Sequence, residues 1–147
     1  MSLKDQLNES MKTAMKARDN LRLSAVRMVR STIKNREIDS KVELDDQGII
    51  EVISTLVKQR RESIRMYREG NRPDLVEREE SELAILQEFL PAQLSAAEIG
   101  DLIDRAIAET GAQSAKDMGK VMKALAPLTA GKADGKIVSD AVKQKLT

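Results

Sequence analysis

The sequence predicts an all-α protein, and three observations support that fold class. Along nearly all of its 147 residues, apolar side chains recur every three or four positions, which is the spacing of one helix face. No segment shows the apolar–polar alternation of a half-buried strand. Pro, Gly and capping residues fall between the apolar stripes, where helices should begin and end. We therefore expect an N-terminal domain of about four helices, residues 1–93, and a small three-helix tail domain, residues 94–147.

The first two helices each follow a residue that can cap a helix N-terminus. Ser2 precedes the first helix, and Asp5 stands three residues later, where the partner of a capping box belongs. The second helix is expected after Asp19, and we expect it to end within the polar segment 35–46. The apolar stripes of the two helices are Leu3, Leu7, Met11 and Met15, and then Leu21, Ala25, Val26, Met28, Val29 and Ile33.

The third and fourth helices are expected to form an antiparallel hairpin. The third should begin near Asp46 and stop at Gly70, and Pro73 suits the first turn of the fourth. The short connection between Gly70 and Pro73 favours a direct reversal of chain direction. The two apolar stripes are Ile49, Ile50, Ile53, Leu56, Val57, Ile64 and Tyr67, and then Leu75, Val76, Leu83, Leu86 and Leu90.

The tail domain is expected to follow a short linker at residues 91–95, because Pro91 breaks the helical pattern. Ser95 and Glu98 predict a capping box at the start of the fifth helix. That helix should stop at Gly111. Its apolar face consists of Ile99, Leu102, Ile103, Ala106 and Ile107.

The sixth and seventh helices are short. Ser114 and Asp117 predict a second capping box, and Pro127 is expected to end the sixth helix. Asp134 can cap the seventh helix. The apolar faces are Met118, Val121, Met122 and Leu125, and then Ile137, Val138, Ala141, Val142 and Leu146.

Composition excludes several classes of function. The chain has no Cys and no His, which rules out disulfides, Cys or His zinc sites, and catalysis by a His base or a Cys nucleophile. Its only aromatic residues, Tyr67 and Phe89, are too few to bind single-stranded nucleic acid by base stacking. The 25 basic and 24 acidic residues nearly cancel, so no global field favours a polyanion. We expect no metal and no cofactor.

We also expect no membrane association and a cytoplasmic location. The longest uncharged stretch, residues 89–97, is far shorter than the roughly 20 residues of a membrane helix. The first residues lack the apolar core of a secretory signal.

Stretches throughout the chain resemble a known family. The last third contains MGKVMK at 118–123 and GKADGKIVS at 131–139, which resemble the C-terminal tail of the B subunit of the tRNA-dependent amidotransferase, GatB. The stretch KQRRESIRMYREGNRPDLVEREESELAILQEFLP at 58–91 is similar to free-standing YqeY-type proteins of the same family, and so is the stretch 3–39. The resemblance to the GatB/YqeY family thus covers essentially the whole chain.

The resemblance implies an all-helical fold with a larger N-terminal domain and a GatB-tail-like domain of three helices. It also implies a connection with tRNA, because the amidotransferase makes glutaminyl- or asparaginyl-tRNA from the mischarged precursor and its tail domain touches the tRNA body. The ammonia-generating and phosphorylating sites lie in other domains and subunits, so no catalytic residue carries over to this chain.

A carbon–nitrogen ligase activity with glutamine as amido-N-donor would therefore be a label inherited from the family, and we expect the chain not to be a catalyst alone. The partners that the resemblance implies are tRNA, or a protein partner such as an amidotransferase or synthetase complex. The leading hypothesis is a tRNA- or RNA-associated accessory protein. The alternatives are a helical protein-interaction adaptor and an amidotransferase-linked enzyme.

Lysines of the tail domain form the candidate nucleic-acid-binding surface. Residues 114–147 hold seven Lys against three Asp. Six of the lysines are candidates for contacting phosphates: Lys116, Lys120, Lys123, Lys132, Lys136 and Lys143. Three are spaced i, i+4 and i+7 on the sixth helix, two share a face of the seventh, and Lys132 lies in the Gly-bearing loop between the helices. The alternative interpretation is an ordinary solvated lysine face.

Two further basic stretches lie in the N-terminal domain. The third helix carries a stripe of Lys58, Arg61, Arg65 and Arg68. The acidic fourth helix can neutralise this stripe through exposed ion pairs, which favours a structural role over contact with RNA. The second helix carries Arg27, Arg30 and Lys34, which can extend a basic track.

Two sequence motifs suggest a nucleotide site and a metal site, but neither has the residues that such a site needs. The loop 131–137 is not a P-loop, because three rather than four residues separate its glycines and Ile137 replaces the magnesium-binding Ser or Thr. Glu79 and Glu82, at i and i+3, lack the His that di-metal helical bundles use. Salt bridging is the favoured role for this pair of carboxylates.

Overall fold

A computed structural model describes residues 2–147, and all the regular secondary structure within them is helical, which confirms the predicted all-α class. One compact unit ends at Leu90 and a second covers Pro91–Thr147; we call them the N-terminal unit and the tail unit. The N-terminal unit contains α1 (Leu3–Ala17), α2 (Asn20–Ser40), α3 (Asp46–Glu69) and α4 (Pro73–Gln87). The tail unit contains α5 (Ala96–Thr110), a 3-10 turn (Ala115–Asp117), α6 (Met118–Thr129) and α7 (Gly135–Leu146).

Two predicted capping boxes are confirmed. The Ser2 hydroxyl accepts from the Asp5 backbone N–H at 3.2 Å, and the Asp5 carboxylate accepts from the Ser2 N–H at 3.4 Å. Ser95 and Glu98 form the same reciprocal pair, with both distances 3.1 Å. Each pair satisfies backbone donors that the first helical turn leaves without partners, and so defines where its helix starts.

The second helix ends at Ser40, within the polar segment 35–46 where its end was expected, with Lys41 as its C-cap in the left-handed conformation at φ 60°. A tertiary contact lies close to this end, because the Glu37 carboxylate accepts from Lys4 Nζ at 2.6 Å and from the Leu44 N–H at 2.7 Å. The ion pair of Glu37 with Lys4 therefore links this end of α2 to α1.

Pro127 does not end α6, so that prediction is wrong. The helix continues to Thr129, with Pro127 inside its last turns. The Ala130 N–H donates to the Ala126 carbonyl at 3.0 Å, and the Thr129 hydroxyl donates to the Leu125 carbonyl at 3.1 Å. The proline ring removes one helical donor, and neighbouring bonds continue the helix past it.

The core of the N-terminal unit joins all four of its helices. The most extensive helix–helix contact is between α3 and α4, followed by α1 with α2. Lys4 at the start of α1 meets Glu37 near the end of α2, so these two helices run antiparallel. The buried apolar side chains are Leu3, Leu7, Ala25, Val26, Val29, Ile33, Ile49, Val52, Ile53, Leu56, Val57, Ile85, Leu86 and Phe89.

A charged cluster interrupts the apolar contact between α3 and α4. Arg60 Nε lies 3.0 Å from a Glu82 carboxylate oxygen and 3.3 Å from a Glu79 oxygen. Arg60 Nη2 also lies 3.0 Å from the Met28 sulfur on α2. Glu82 is only 7% exposed, which is rare for a carboxylate and requires a compensating charge.

The tail unit has a separate core. Its buried apolar side chains are Ile99, Ile103, Ala106, Val121, Leu125, Val138, Val142 and Leu146. Lys145 on α7 forms an ion pair with Asp104 on α5 at 2.7 Å. None of the helices in residues 2–147 has the length and apolar character needed to span a membrane.

Candidate functional site

All six candidate lysines of the tail unit are exposed, but they do not share the geometry that the spacing predicted. Lys120 and Lys123 lie on α6, whereas Lys116 lies in the preceding 3-10 turn. The Ser114 hydroxyl accepts from the Lys116 N–H at 3.4 Å, and the Asp117 carboxylate accepts from the Gln113 N–H at 2.9 Å. These bonds form a 3-10 turn where the second capping box was expected, so α6 begins only at Met118.

The lysines are spread along the helices and do not converge on one point. Lys132 and Lys136 lie near the connection between α6 and α7, whereas Lys116 precedes the other end of α6. A helix of 12 residues, such as α6, is about 18 Å long. An extended row of charges of this kind suits a polyanionic backbone better than a single small anion.

The loop that carries Lys132 is held by hydrogen bonds from the start of the tail unit. The Leu94 N–H donates to the Lys132 carbonyl at 2.8 Å, and Gln93 Nε2 donates to the Gly131 carbonyl at 2.8 Å. Within the loop, the Lys132 N–H donates to the Thr129 carbonyl at 2.9 Å. Gly131 has a φ of 73°, which an L-residue adopts only with strain. The backbone beneath the Lys132 side chain is thus fixed.

Lys136 lies in the first turn of α7, next to the capping residue Asp134. The Asp134 carboxylate accepts from the Lys136 N–H at 2.8 Å. A cation in the first turn faces the positive end of the helix dipole, so Lys136 gains nothing from its own helix. An external anion would be attracted by both the lysine and the helix end.

Counter-charges neutralise only part of this surface. Lys120 lies 3.7 Å from the Asp117 carboxylate. The pKa of Asp117 is held below its usual range, first by the hydrogen bond from the Gln113 N–H and then by the charge of Lys120. In residues 2–147, no carboxylate lies within salt-bridge distance of Lys123 or Lys143.

The structure also brings together the basic residues of the second helix. Arg27, Arg30 and Lys34 line an open groove of about 540 Å³ between α1 and α2, together with Lys4. Their i, i+3, i+7 spacing places them on one face of α2. Sequence patterns indicated the stripe but not the opposite wall, because the contact with α1 is a tertiary one.

The basic stripe of α3 has a different environment. Arg65 pairs with Glu62 at 2.9 Å and with Glu69 at 3.2 Å, and Arg68 pairs with Glu80 on α4. These exposed ion pairs agree with the structural interpretation of the charged hairpin.

Acidification should destabilise the α1–α2 pair through Glu37. The hydrogen bond from Lys4 lowers the pKa of Glu37, and the bond from the Leu44 N–H lowers it further. A carboxylate with a depressed folded-state pKa contributes stability above the unfolded value, about 4.3, and loses that contribution as the pH falls through the folded-state pKa. We expect E37Q to melt below the parent at pH 7 and the difference to shrink as the pH falls below about 4, measured by far-UV circular dichroism.

A matched control for this experiment is E9Q, on the exposed surface of α1. E9Q should follow the parent at every pH. A difference between E37Q and the parent that stays constant from pH 7 to pH 3 would contradict the role of the ionised Glu37.

A family model and two curated relatives each match more than half of the chain. The family model described as Yqey-like protein matches residues 4–146. A relative from Kluyveromyces lactis, named "Altered inheritance of mitochondria protein 41, mitochondrial", is 45% identical over 87 residues, which cover 58% of this chain and 47% of the relative. The protein of the same name from Lachancea thermotolerans is 44% identical over 85 residues, covering 57% and 46%. The chain spans about half the length of the curated relatives it matches.

These names contradict the expected cytoplasmic location, because the relatives are named as mitochondrial proteins. The expectation was drawn from the lack of an apolar secretory core. That criterion does not detect mitochondrial targeting, since such segments are amphipathic and Arg-rich.

Proposed function

Since the chain belongs to the Yqey-like protein family, we propose that it is a non-catalytic, tRNA-associated accessory protein. Its tail lysines contact RNA phosphates. The observation that carries this proposal is the exposed, unevenly neutralised lysine surface of residues 114–147, with seven Lys against three Asp. Such a surface binds through counterion release and reads the shape of the RNA rather than its sequence.

The fixed loop at Lys132 supports this mode of binding. Its backbone is held by Leu94 and Gln93, so a phosphate contact there orders only the lysine side chain. Lys136 lies at the adjacent start of α7, where an approaching phosphate lowers the unfavourable interaction between the lysine and the helix dipole. Lys120 and Lys123 extend the charged surface along α6.

One observation favours an adaptor as a second candidate function. Ile38 is 63% exposed and Val42 is 65% exposed, at the end of α2 and just beyond it. Exposed apolar side chains that form a contiguous patch are typical of protein contacts. Capture of one stoichiometric partner after nuclease treatment, lost in I38S/V42S, would favour the adaptor over the RNA-associated protein.

An amidotransferase-linked activity would be the property inherited from the family. The chain contains neither the His nor the Cys on which most nucleophile–base pairs depend. Glutamine-dependent amide transfer by the purified chain alone would overturn the non-catalytic proposal.

The test of RNA association is fluorescence anisotropy with labelled bulk tRNA over a salt series. We expect binding near physiological salt, with log K falling linearly with log salt concentration because the contacts are with phosphates. Absence of binding even at low salt would refute the proposal and leave the adaptor as the leading function.

The variant K120Q/K123Q/K132Q/K136Q should weaken tRNA binding and flatten the salt dependence. If all four lysines contact phosphates, the slope of log K against log salt should decrease by about 3. The matched control K12Q/K16Q/K41Q/K58Q removes the same charge from exposed positions of the N-terminal unit. Equal effects of the two variants would show that net charge, rather than the tail surface, determines binding.

A further inference from the structure

We propose that the groove between α1 and α2 binds a phosphate-bearing small molecule of nucleotide size. The groove belongs to the N-terminal unit and uses none of the tail lysines, so the inference is independent of RNA binding by the tail. Its volume of about 540 Å³ falls within the range of ligand sites in proteins, roughly 300–1,000 Å³.

The floor and walls of the groove have complementary chemistry. Leu7 of α1 and Ile33 of α2 are buried and form an apolar floor. Asn8 and Ser31 add uncharged hydrogen-bonding groups on opposite helices. An apolar floor with a few polar groups and a basic rim suits a ligand with both an uncharged body and an anionic end.

No carboxylate in residues 2–147 lies within 4.0 Å of the guanidinium group of Arg27 or Arg30. By contrast, ion pairs to carboxylates are formed by the arginines Arg22, Arg60, Arg65, Arg68, Arg72 and Arg78. Arg18 and Arg36 also lack such a pair, but they do not line the groove, so Arg27 and Arg30 are the arginines that the groove holds without a counter-charge.

The one carboxylate in the groove is already engaged. Glu37 accepts from Lys4 Nζ at 2.6 Å and from the Leu44 N–H at 2.7 Å. That ion pair accounts for the charge of Lys4. Arg27, Arg30 and Lys34 remain as three uncompensated cations along about two turns of α2.

The Arg30 side chain reaches towards α1. Its Nη1 lies 2.8 Å from the Met11 sulfur, a weak acceptor that satisfies a guanidinium poorly. This contact holds the side chain across the two helices, so little rotamer entropy is lost when an anion replaces the sulfur as acceptor.

The charge count and the residue types select the ligand. A single carboxylate compensates one cation, whereas a nucleoside diphosphate or triphosphate compensates all three within one groove. Guanidinium groups bind phosphate through two parallel hydrogen bonds, and Lys34 adds a point charge. The low-dielectric floor strengthens these interactions relative to those at a flat surface.

Isothermal titration calorimetry of the full chain with ATP, in a buffer containing EDTA, tests the site. We expect ATP to bind, AMP to bind more weakly, and adenosine to give no heat. In R27Q/R30Q the Kd for ATP should rise by about 100-fold, because two charged hydrogen-bonding groups are removed at roughly tenfold each. R27K/R30K keeps the charge but removes the paired N–H donors of the guanidinium groups, and should show an intermediate loss of affinity for ATP.

The matched control is R18Q/R36Q, which removes two exposed arginines that do not line the groove. Its Kd for ATP should equal that of the parent, and far-UV melting curves should show that every variant is folded. No ATP binding by the parent, an unchanged Kd in R27Q/R30Q, or loss of binding in the tail variant instead would each overturn the proposal. Loss of tRNA binding alone in R27Q/R30Q, without nucleotide binding, would reassign the groove to RNA.

Discussion

Replacing Arg60 with methionine should lower the free energy of unfolding of the N-terminal unit by about 3 kcal/mol. The substitution removes the cation beside Glu79, and it leaves the almost fully buried Glu82 only the exposed Arg78, whose Nε lies 3.7 Å from a Glu82 oxygen. A poorly compensated buried carboxylate costs more than the methionine gains by packing near Met28. Urea unfolding followed by far-UV circular dichroism measures the loss.

The control is R65M, which removes an arginine from the same helix. Arg65 pairs with Glu62 and Glu69, but its side chain is 57% exposed. Exposed pairs contribute about 0–1 kcal/mol, so R65M should change stability little. Equal losses in R60M and R65M would show that burial of the cluster has no energetic consequence.

A second variant tests whether the buried cluster is itself stabilising. Arg60 Nε and one Glu79 oxygen are buried without a well-aligned hydrogen bond, although the ions lie within 3.3 Å of each other. An imperfect network of this kind is often no better than an apolar contact of equal volume. We therefore expect R60M/E79Q/E82L, which leaves no carboxylate of the cluster without its cation, to recover most of the stability that R60M loses.

Replacing Leu125 with alanine should lower the stability of the tail unit by about 3 kcal/mol, through lost burial and the cavity that remains. Leu125 is fully buried among Ile99, Ile103, Val121 and Val142. A unit as small as residues 91–147 has a total stability of only about 3–5 kcal/mol from its core. The substitution should therefore bring the tail unit close to its unfolding midpoint.

Native-state hydrogen exchange with mass spectrometry measures this effect helix by helix. A loss of about 3 kcal/mol corresponds to roughly 150-fold faster exchange for the most protected amides of α5, α6 and α7. L125M keeps the volume and should cost less than about 1.5 kcal/mol. Exchange in L125A that matches the parent would mean that α6 contributes little to the tail core.

Sequence patterns located the helices because the signals are local. The capping boxes at Ser2 and Ser95 and the stop at Gly111 each involve residues within about one turn, and the structure has all three. The errors came from the same local rules. Pro127 looked like a stop but lies inside α6, and Ser114 caps a 3-10 turn instead of α6 itself.

The buried cluster at Arg60 was missed, although a signal for it exists. Arg60 falls on the apolar stripe of α3 between Leu56 and Ile64, and Glu82 falls on the stripe of α4 next to Ile85. A charged residue at an apolar position of one helix and an opposite charge at such a position of the next indicate a buried pair. Distinguishing that pair from the exposed stripe of Arg65 and Arg68 requires the register between the helices.

The sequence by itself determined the all-α class, the order of seven helices and the uneven placement of lysines, because periodicity, caps and charge are properties of neighbouring residues. Only the tertiary structure decided which charged side chains are neutralised by an ion-pair partner. It pairs Lys4 with Glu37 and Arg60 with Glu82, and it leaves Arg27 and Arg30 facing a groove. These outcomes depend on contacts between residues far apart in the chain, whose register follows from how whole helices pack rather than from any local pattern.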